Sequence, residues 1–329
     1  MEERGLGAVL LRRPENFAWY TGGGNSRVEY ASPLGVADVI ATMDGEYVLT
    51  STIEAPRMRL EEASGFEVVE YPWEEGPDAA VRDLVGDASL AADVPLPGAA
   101  DLSDDIAALR RVLDEDGVSR LRSVGADLTA ALAEAAAAVQ PGITEHDAAA
   151  EIAAACRRRG LVATVLLAAT DARIRLHRHA LPAGVVLERR AMLVASAQRG
   201  GLYANLTRMV HFEEPDPEIA ARQAVSDEIL ARMREEATRP GRSLADVFAD
   251  CRRFYSEAGF PDEWRLHHQG GMTGYASREV IAAPSTDIPI ETGQAFSWNP
   301  SVTGAKAEET FVLTEAGAEV VAGAALSVA

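Results

Sequence analysis

The sequence predicts an α+β protein of two domains, a small N-terminal α/β domain over residues 1–112 and a larger domain over residues 113–329. Three observations support this. The chain has 329 residues, more than one average domain contains. Its first part alternates short strand-like and helical segments, whereas the remainder contains two blocks that each place helices before strands.

The N-terminal domain begins with the apolar run of residues 7–12, which predicts a buried strand. A short helix follows from Asn16 and ends at the glycines of residues 22–24. The sequence Met-Asp-Gly-Glu at residues 43–46 is typical of a hairpin turn, and a helix over residues 54–63 precedes a strand over residues 66–71.

The second domain begins with a long alanine-rich helix over residues 118–139, which the following Gln-Pro-Gly ends. Thr144 is a predicted N-cap of the next helix, because Glu145 and Asp147 place acidic side chains in its first turn. A third helical block over residues 217–259 precedes a glycine-rich, strand-rich C-terminal stretch.

Composition excludes several classes of function. The formal charge of −20 opposes binding to nucleic acid or an anionic membrane, and the sequence does not indicate a compensating basic face. No apolar run reaches the roughly 18 residues of a membrane span, and no signal peptide is visible, so we expect a cytoplasmic protein. Cys156 and Cys251 lack metal-site spacing and are predicted to be ordinary thiols.

Five motifs occur in a fixed order along the chain. They are RPENFAWYTG at residues 13–22, LDEDGVSRLR at 113–122, VQPGITE at 139–145, YANLTR at 203–208 and EETFVLTEAG at 308–317. Together they resemble the creatinase, prolidase and Xaa-Pro aminopeptidase family over nearly the whole chain. The resemblance implies a creatinase-like N-terminal domain, a C-terminal pita-bread domain, a homodimer and a hydrolase that acts on a small molecule or short peptide.

Metal-dependent members of this family hold two divalent cations with two Asp, one His and two Glu, and the cations activate a bridging water. The resemblance places Ala195, Asn205, His268, Asn299 and Glu308 at those five positions. One carboxylate does not neutralise two divalent cations, and amide oxygens are weak substitutes. The sequence therefore predicts no metal pair and no other cofactor, and leaves open a single ion held by His268, Glu308 and an asparagine.

Creatinase resembles this case, because it hydrolyses a carbon–nitrogen bond without metal. His179 matches the family's H-x-x-P element and is the predicted general acid/base, with His177 as the alternative. His268 is a second proton carrier or hydrogen-bond donor, with His267 expected on the opposite strand face. Glu308, without a metal, is expected to attract a cationic substrate group or to have a raised pKa.

Five further residues are predicted to contact the substrate. Asn205 and Asn299 either orient it by amide hydrogen bonds or fill the space of absent carboxylates. Tyr275 stands where metal-dependent relatives carry another histidine, and Tyr203 neighbours Asn205. Arg27 is predicted to reach the cleft of a partner subunit, as the resemblance implies for N-terminal residues.

The sequence leaves three functions open. The first is metal-independent hydrolysis of an amide or amidine-type bond by His179, His268 and Glu308. The second is a catalytically inactive, aminopeptidase-like binding protein. The third is an Xaa-Pro aminopeptidase or dipeptidase with an atypical single-metal site.

Overall fold

The structure is a computed structural model that describes residue 1 and residues 4–323. The chain forms two compact units, residues 1–110 and the residues from 111 onward. The architecture is the α+β fold that the sequence predicts, with helices and sheets mixed in both units.

The N-terminal unit is built on one mixed sheet of six strands in the order β4-β3-β2-β1-β5-β6. Its strands are β1 Ala8–Leu11, β2 Ala37–Thr42, β3 Glu46–Ser51, β4 Glu67–Tyr71, β5 Leu90–Ala92 and β6 Ala100–Asp101. Its helices are α1 Pro14–Tyr20, α2 Ala55–Arg57, which continues as the π-helical turn Met58–Glu62, α3 Asp78–Val85 and α4 Ser103–Arg110. The predicted hairpin at residues 43–46 is confirmed, since β2 and β3 pair antiparallel across it.

The C-terminal unit contains two helix-and-sheet halves. Its helices are α5 Glu115–Ala138, α6 Glu145–Arg158, α7 Asp171–Leu176, α8 Pro217–Arg232, which continues as the π-helical turn Met233–Ala237, α9 Leu244–Glu257 and the 3-10 turn Glu263–Leu266. Its strands are β7 Val162–Thr170, β8 Arg190–Arg199, β9 Leu202–His211, β10 Gly270–Thr273, β11 Val280–Ile281, β12 Ala295–Trp298, β13 Ser301–Val302, β14 Ala305–Lys306, β15 Glu309–Thr314 and β16 Gly317–Ala322.

In the first half, α5 and α6 pack on the antiparallel sheet β7-β8-β9. Asp114 caps α5 by accepting a hydrogen bond from the Gly117 amide at 2.7 Å. Thr144 caps α6, as predicted, in a reciprocal capping box with Asp147. The buried faces of both helices are rich in alanine, so the helices approach the sheet closely.

In the second half, α8 and α9 pack on the antiparallel sheet β11-β10-β12-β15-β16. The core here is aromatic, with Phe254 and Tyr255 of α9 buried against Phe296, Trp298 and Phe311. Both halves place helices before strands in the sequence, which confirms the predicted order.

The two halves meet where β9 lies against β15. The Asn205 amide of β9 donates to Thr310 Oγ1 at 2.8 Å, and the same hydroxyl donates to the Asn205 carbonyl at 2.9 Å. The side chain of Thr310 in β15 thus satisfies both backbone groups of Asn205 in β9, as a neighbouring strand would. The contact between β9 and β15 brings the inner faces of the two sheets together. The candidate site lies beside this contact.

In the part of the chain that the structure describes, none of the helices combines the length and apolar character needed to span a bilayer. Cys156 and Cys251 are free, buried thiols, as the sequence predicts.

Candidate active site

A cavity of about 310 Å³ lies between the two halves of the C-terminal unit. One wall is apolar and comes from β7, β8 and the loop after α7: Val165, Leu167, Leu181 and Val194. The opposite wall is polar and charged: His179, Ser196, Asn205, His268, Ser277, Arg278, Asn299, Lys306 and Glu308. An apolar pocket with a few convergent polar groups is the usual form of a small-molecule site.

Glu308 is the carboxylate of this cavity, and it is held by two cations. Lys306 Nζ lies 2.9 Å from its Oε2, and Arg278 Nη2 lies 3.0 Å from its Oε1. Thr207 Oγ1 donates a third hydrogen bond to Oε2 at 2.7 Å. Burial alone would raise the pKa of Glu308, but Lys306 and Arg278 lower it to about 2.

The expected raised pKa of Glu308 is therefore wrong. The absence of metal ligands was expected to leave the carboxylate without a neighbouring cation. Lys306 and Arg278 provide two, so the carboxylate stays ionised and already has its counter-ions.

Three histidines stand together at one end of the cavity. His179 Nε2 lies 2.9 Å from His267 Nε2, and the ring centroids of His267 and His268 are 4.7 Å apart. The expectation that His267 faces away from His268 is wrong, because residues 267–269 precede β10 and do not follow the alternation of a strand. Arg178 helps to place His179, because it pairs with Glu263 of the turn that leads into His267.

The environment lowers the pKa of all three imidazoles. Burial is the main cause for each of them, and nearby positive charge adds to it. The pKa of His267 falls to about 2, with Lys306 as the main neighbouring cation, and that of His268 falls to about 4, with Arg278 in that role. The pKa of His179 is also lowered, by burial and then by Lys306, so the three rings are neutral at pH 7.

Asn205 is fixed in place by Ser277. Its Oδ1 accepts from Ser277 Oγ at 3.2 Å, and its Nδ2 donates to Thr273 Oγ1 at 3.3 Å. Ser277 Oγ also lies 2.8 Å from Ser196 Oγ, so the two serines and the asparagine form one network.

Ser196, not Ala195, occupies the cavity-facing position opposite Asn205. Gly200 and Gly201 have φ of 58° and 79°, which is the tight type I′ turn of a two-residue hairpin. This turn pairs Ser196 with Asn205 across β8 and β9, while the Ala195 side chain belongs to the helix-facing core. Ala195 also borders the cavity, and neither Ala195 nor Ser196 is a carboxylate.

Asn299 lies in the cavity wall with a free acceptor. Its backbone amide donates to the Gln269 carbonyl at 3.1 Å, but its buried Oδ1 has no hydrogen-bond partner among the described residues. A buried acceptor without a partner is costly, so a bound donor would be favoured at this point.

Tyr275 and Tyr203 are not among the residues that line this cavity, whereas the prediction for Arg27 concerns a partner subunit. The Tyr275 hydroxyl accepts a hydrogen bond from Arg120 Nη2 of α5 at 2.7 Å. Tyr203 lies on β9, where its amide donates to the Gly274 carbonyl at 2.8 Å. Arg27 belongs to the N-terminal unit, where its Nη2 lies 3.3 Å from Glu15 Oε2.

Sequence reasoning missed Lys306, Arg278 and Thr207 as site residues. One signal for Lys306 was present, since it is the chain's only lysine and stands two residues before Glu308, a spacing that shares one face of an extended chain. Arg278 had no such signal, because it lies in the loop between β10 and β11.

Comparison with known proteins identifies the fold and the protein family of this chain. The chain has the two-domain creatinase/prolidase fold, and residues 1–157 match the creatinase/prolidase N-terminal domain. Residues 119–315 match metallopeptidase family M24, and the chain belongs to that family.

Three individual proteins illustrate what this chain is similar to. The "Probable dipeptidase PepE" of Mycobacterium tuberculosis is 29% identical over 226 residues, a match that covers 66% of this chain and 60% of that protein. The prolidase from Pyrococcus furiosus superposes with a TM-score of 0.80 at 18% identity, covering 99% of this chain and 98% of that one. The X-Pro aminopeptidase from Thermotoga maritima gives 0.81 at 21% identity, covering 98% and 94%. These two structures share the fold.

The family's name implies bound metal, but the donor atoms of this cavity do not suit a metal pair. A metal pair requires several carboxylates, and Glu308 is the one found among Ser196, Asn205, His268, Asn299 and Glu308. The Lys306 ammonium, 2.9 Å from that carboxylate, already occupies one of its oxygens. These residues do not fit a pair of divalent cations, because the two protein cations would repel them.

Proposed function

We propose that this chain is a hydrolase that cleaves a carbon–nitrogen bond of a small molecule or short peptide without a metal pair. The observation that carries the proposal is the arrangement of Lys306 and Arg278 on either side of Glu308 in the cavity wall. During amide hydrolysis the carbonyl oxygen of the substrate becomes negatively charged in the transition state. In this proposal, the two fixed cations stabilise that oxygen.

In this proposal His179 is the general base. It lines the cavity, it is the most exposed of the three clustered histidines, and its lowered pKa keeps it neutral at pH 7. His179 takes a proton from a water as the water oxygen bonds to the carbonyl carbon. The tetrahedral oxyanion is stabilised by Lys306 and Arg278, and His179 then returns the proton to the leaving nitrogen as the C–N bond breaks.

The remaining polar residues position the substrate. His268, whose pKa of about 4 leaves it unprotonated at neutral pH, offers a neutral ring for hydrogen bonding. Asn299 Oδ1 is a free acceptor for a substrate N–H. The apolar wall favours a substrate with an aliphatic side, and the names of the relatives, prolidase and dipeptidase, make short peptides the first panel to try.

A second candidate function is a binding protein, and one observation favours it. Both oxygens of the Glu308 carboxylate are satisfied by Thr207, Arg278 and Lys306, so this carboxylate does not stand ready as a base. Under this alternative the cavity binds its ligand and releases it unchanged.

One experiment separates the two. Untagged protein is treated with a chelator and assayed against dipeptides, including Xaa-Pro dipeptides, and small amides. We expect activity that the chelator does not remove and that His179→Gln lowers by about 10² to 10⁴, the usual contribution of general acid–base catalysis. His177→Gln is the matched control, since His177 lies two residues away and is exposed. Turnover that requires added Mn²⁺ refutes the metal-independent proposal, whereas ligand binding without turnover supports the binding protein.

A further inference from the structure

His179, His267 and His268 form a compact set of nitrogen ligands. One ring nitrogen from each residue lies within 4.8 Å of the other two. A tetrahedral ion with metal–nitrogen bonds of about 2.0–2.1 Å needs nitrogens about 3.3 Å apart. The 2.9 Å contact between His179 and His267 is already close to that separation, so modest side-chain rotation would complete the set.

The same cluster has unused polar atoms. The Nδ1 atoms of His267 and His268 are buried and have no hydrogen-bond partner among the described residues. Buried polar atoms without partners are rare in proteins and destabilising. Coordination of an ion by His268 Nδ1 would give one of these two atoms a partner.

We propose that His179, His267 and His268 bind a single transition-metal ion of the Zn²⁺ class. Three neutral imidazoles and one water form a common zinc coordination sphere. This site differs from the family's carboxylate-based pair, because His179 and His267 stand outside the positions that the family motifs assign to metal. The cavity mouth at the exposed His179 gives the ion a route of entry.

Neighbouring charge sets the selectivity. Lys306 and Arg278 carry two positive charges against the single negative charge of Glu308, so the surroundings repel a cation overall. Mg²⁺ and Mn²⁺ favour carboxylates and other hard oxygen donors, which this site does not offer. Zn²⁺, Ni²⁺ and Cu²⁺ bind imidazole strongly enough to overcome the repulsion.

Metal binding must also rearrange one proton. A hydrogen bond between two Nε2 atoms contains one N–H, and a coordinated nitrogen carries none. That proton moves to the Nδ1 of the same ring as the ring changes tautomer. No proton is lost from a neutral imidazole in this step, and the metal gains both Nε2 lone pairs.

The proposal goes beyond the hydrolase function and predicts how the ion would affect it. A metal bound to His179 removes the lone pair that the general base requires. We therefore expect Zn²⁺ to inhibit turnover. Binding itself is measured without substrate, so it is tested even if the chain proves to have no hydrolase activity.

The test uses the untagged full-length protein, freed of metal, and titrates Zn²⁺ by calorimetry and Co²⁺ by visible absorption. We expect one ion per chain, Co²⁺ bands characteristic of nitrogen ligation, and no binding of Mn²⁺. His267→Gln should weaken Zn²⁺ binding more than tenfold, since even loss of an outer partner of a metal ligand costs ten- to a hundredfold. His211→Gln, a change of the same kind outside the cluster, should leave it unaltered.

His179→Gln provides a second variant should His267→Gln fail to fold, because His179 is exposed. Zinc affinity that survives both substitutions, or a stoichiometry of two Mn²⁺ per chain, overturns the three-histidine site. Activation by Zn²⁺ instead of inhibition leaves the metal site standing and refutes the metal-independent hydrolase.

Discussion

Substitution of Glu308 by glutamine should destabilise the C-terminal unit strongly, because it leaves the buried Lys306 and the partly buried Arg278 without their counter-ion. The amide resembles the protonated acid in shape and charge, so the pKa of Glu308 gives the magnitude. Its fall from an ordinary 4.5 to about 2 means that the ionised form is favoured by about 3 kcal/mol in the folded state. Loss of one partner from a buried ion pair typically costs a similar amount, about 3–5 kcal/mol.

The sign of the pH dependence follows from the direction of the shift. A carboxyl group with a lowered pKa stabilises the folded state fully above its unfolded pKa of 4.5, and this contribution is lost as pH falls towards about 2. The difference in unfolding free energy between the wild type and Glu308→Gln should therefore be about 3 kcal/mol at pH 7 and should shrink below pH 4.5.

A second substitution makes the test sharper. Lys306→Met in the Glu308→Gln background removes one of the two uncompensated cations, so it should restore about 1 kcal/mol or more. The control pair is Glu319 and Arg122, whose side chains are 39% and 48% exposed. Glu319→Gln should cost less than about 1 kcal/mol, and Arg122→Met should not rescue it.

The assay is urea unfolding followed by tryptophan fluorescence, with the transition of the C-terminal unit analysed separately because a two-domain chain need not unfold in one step. Buried Trp298 reports on that unit. A cost below 1 kcal/mol for Glu308→Gln, or further destabilisation by Lys306→Met, would refute the argument that these charges hold one another in place.

Three further predictions concern activity and assembly. Because the pKa of His179 is lowered and the base acts in its neutral form, kcat/KM should rise with pH through a midpoint below 6.5 and then stay level to neutral pH; a midpoint above 6.5 in the pH–rate profile contradicts this. Tyr275→Phe should leave kcat/KM within about twofold, because the hydroxyl binds Arg120, and should cost about 1 kcal/mol in thermal unfolding. Arg27→Ala should lower activity if the chain is a homodimer with a shared cleft; a monomer by light scattering removes that role.

The fold was predictable because its elements carry strong local signals. Thr144 and Asp147 form the capping box where the sequence places a helix start, and the turn at residues 43–46 joins two strands as expected. The two helix-then-strand blocks appear as two helix-covered sheets. These features depend on near neighbours in the chain, which are visible in a single sequence.

The site was predictable only in part, because its chemistry depends on distant neighbours. His179, Asn205, His268, Asn299 and Glu308 do line one cavity. Their electrostatic state depends on Lys306 and Arg278, and a loop arginine gives no sequence signal of where its guanidinium lies. The contact between His179 and His267 joins residues 88 positions apart, which no local pattern reveals.

In the proposed metal-independent site, the positive charge comes from the protein itself, and this changes what can regulate the site. A metal pair can be removed by a chelator, whereas Lys306 and Arg278 are covalently part of the chain, and their charge persists at any metal concentration. Glu308 is ionised because of them, and burial and their positive charge together keep the histidines neutral. One arrangement therefore explains both why a carboxylate-bound metal pair is disfavoured and why neutral imidazoles are available, either as a base or as ligands for a different ion. His179 cannot act as a general base while it binds a metal ion. Measuring activity as Zn²⁺ is added therefore tests both proposed roles of His179 in one experiment.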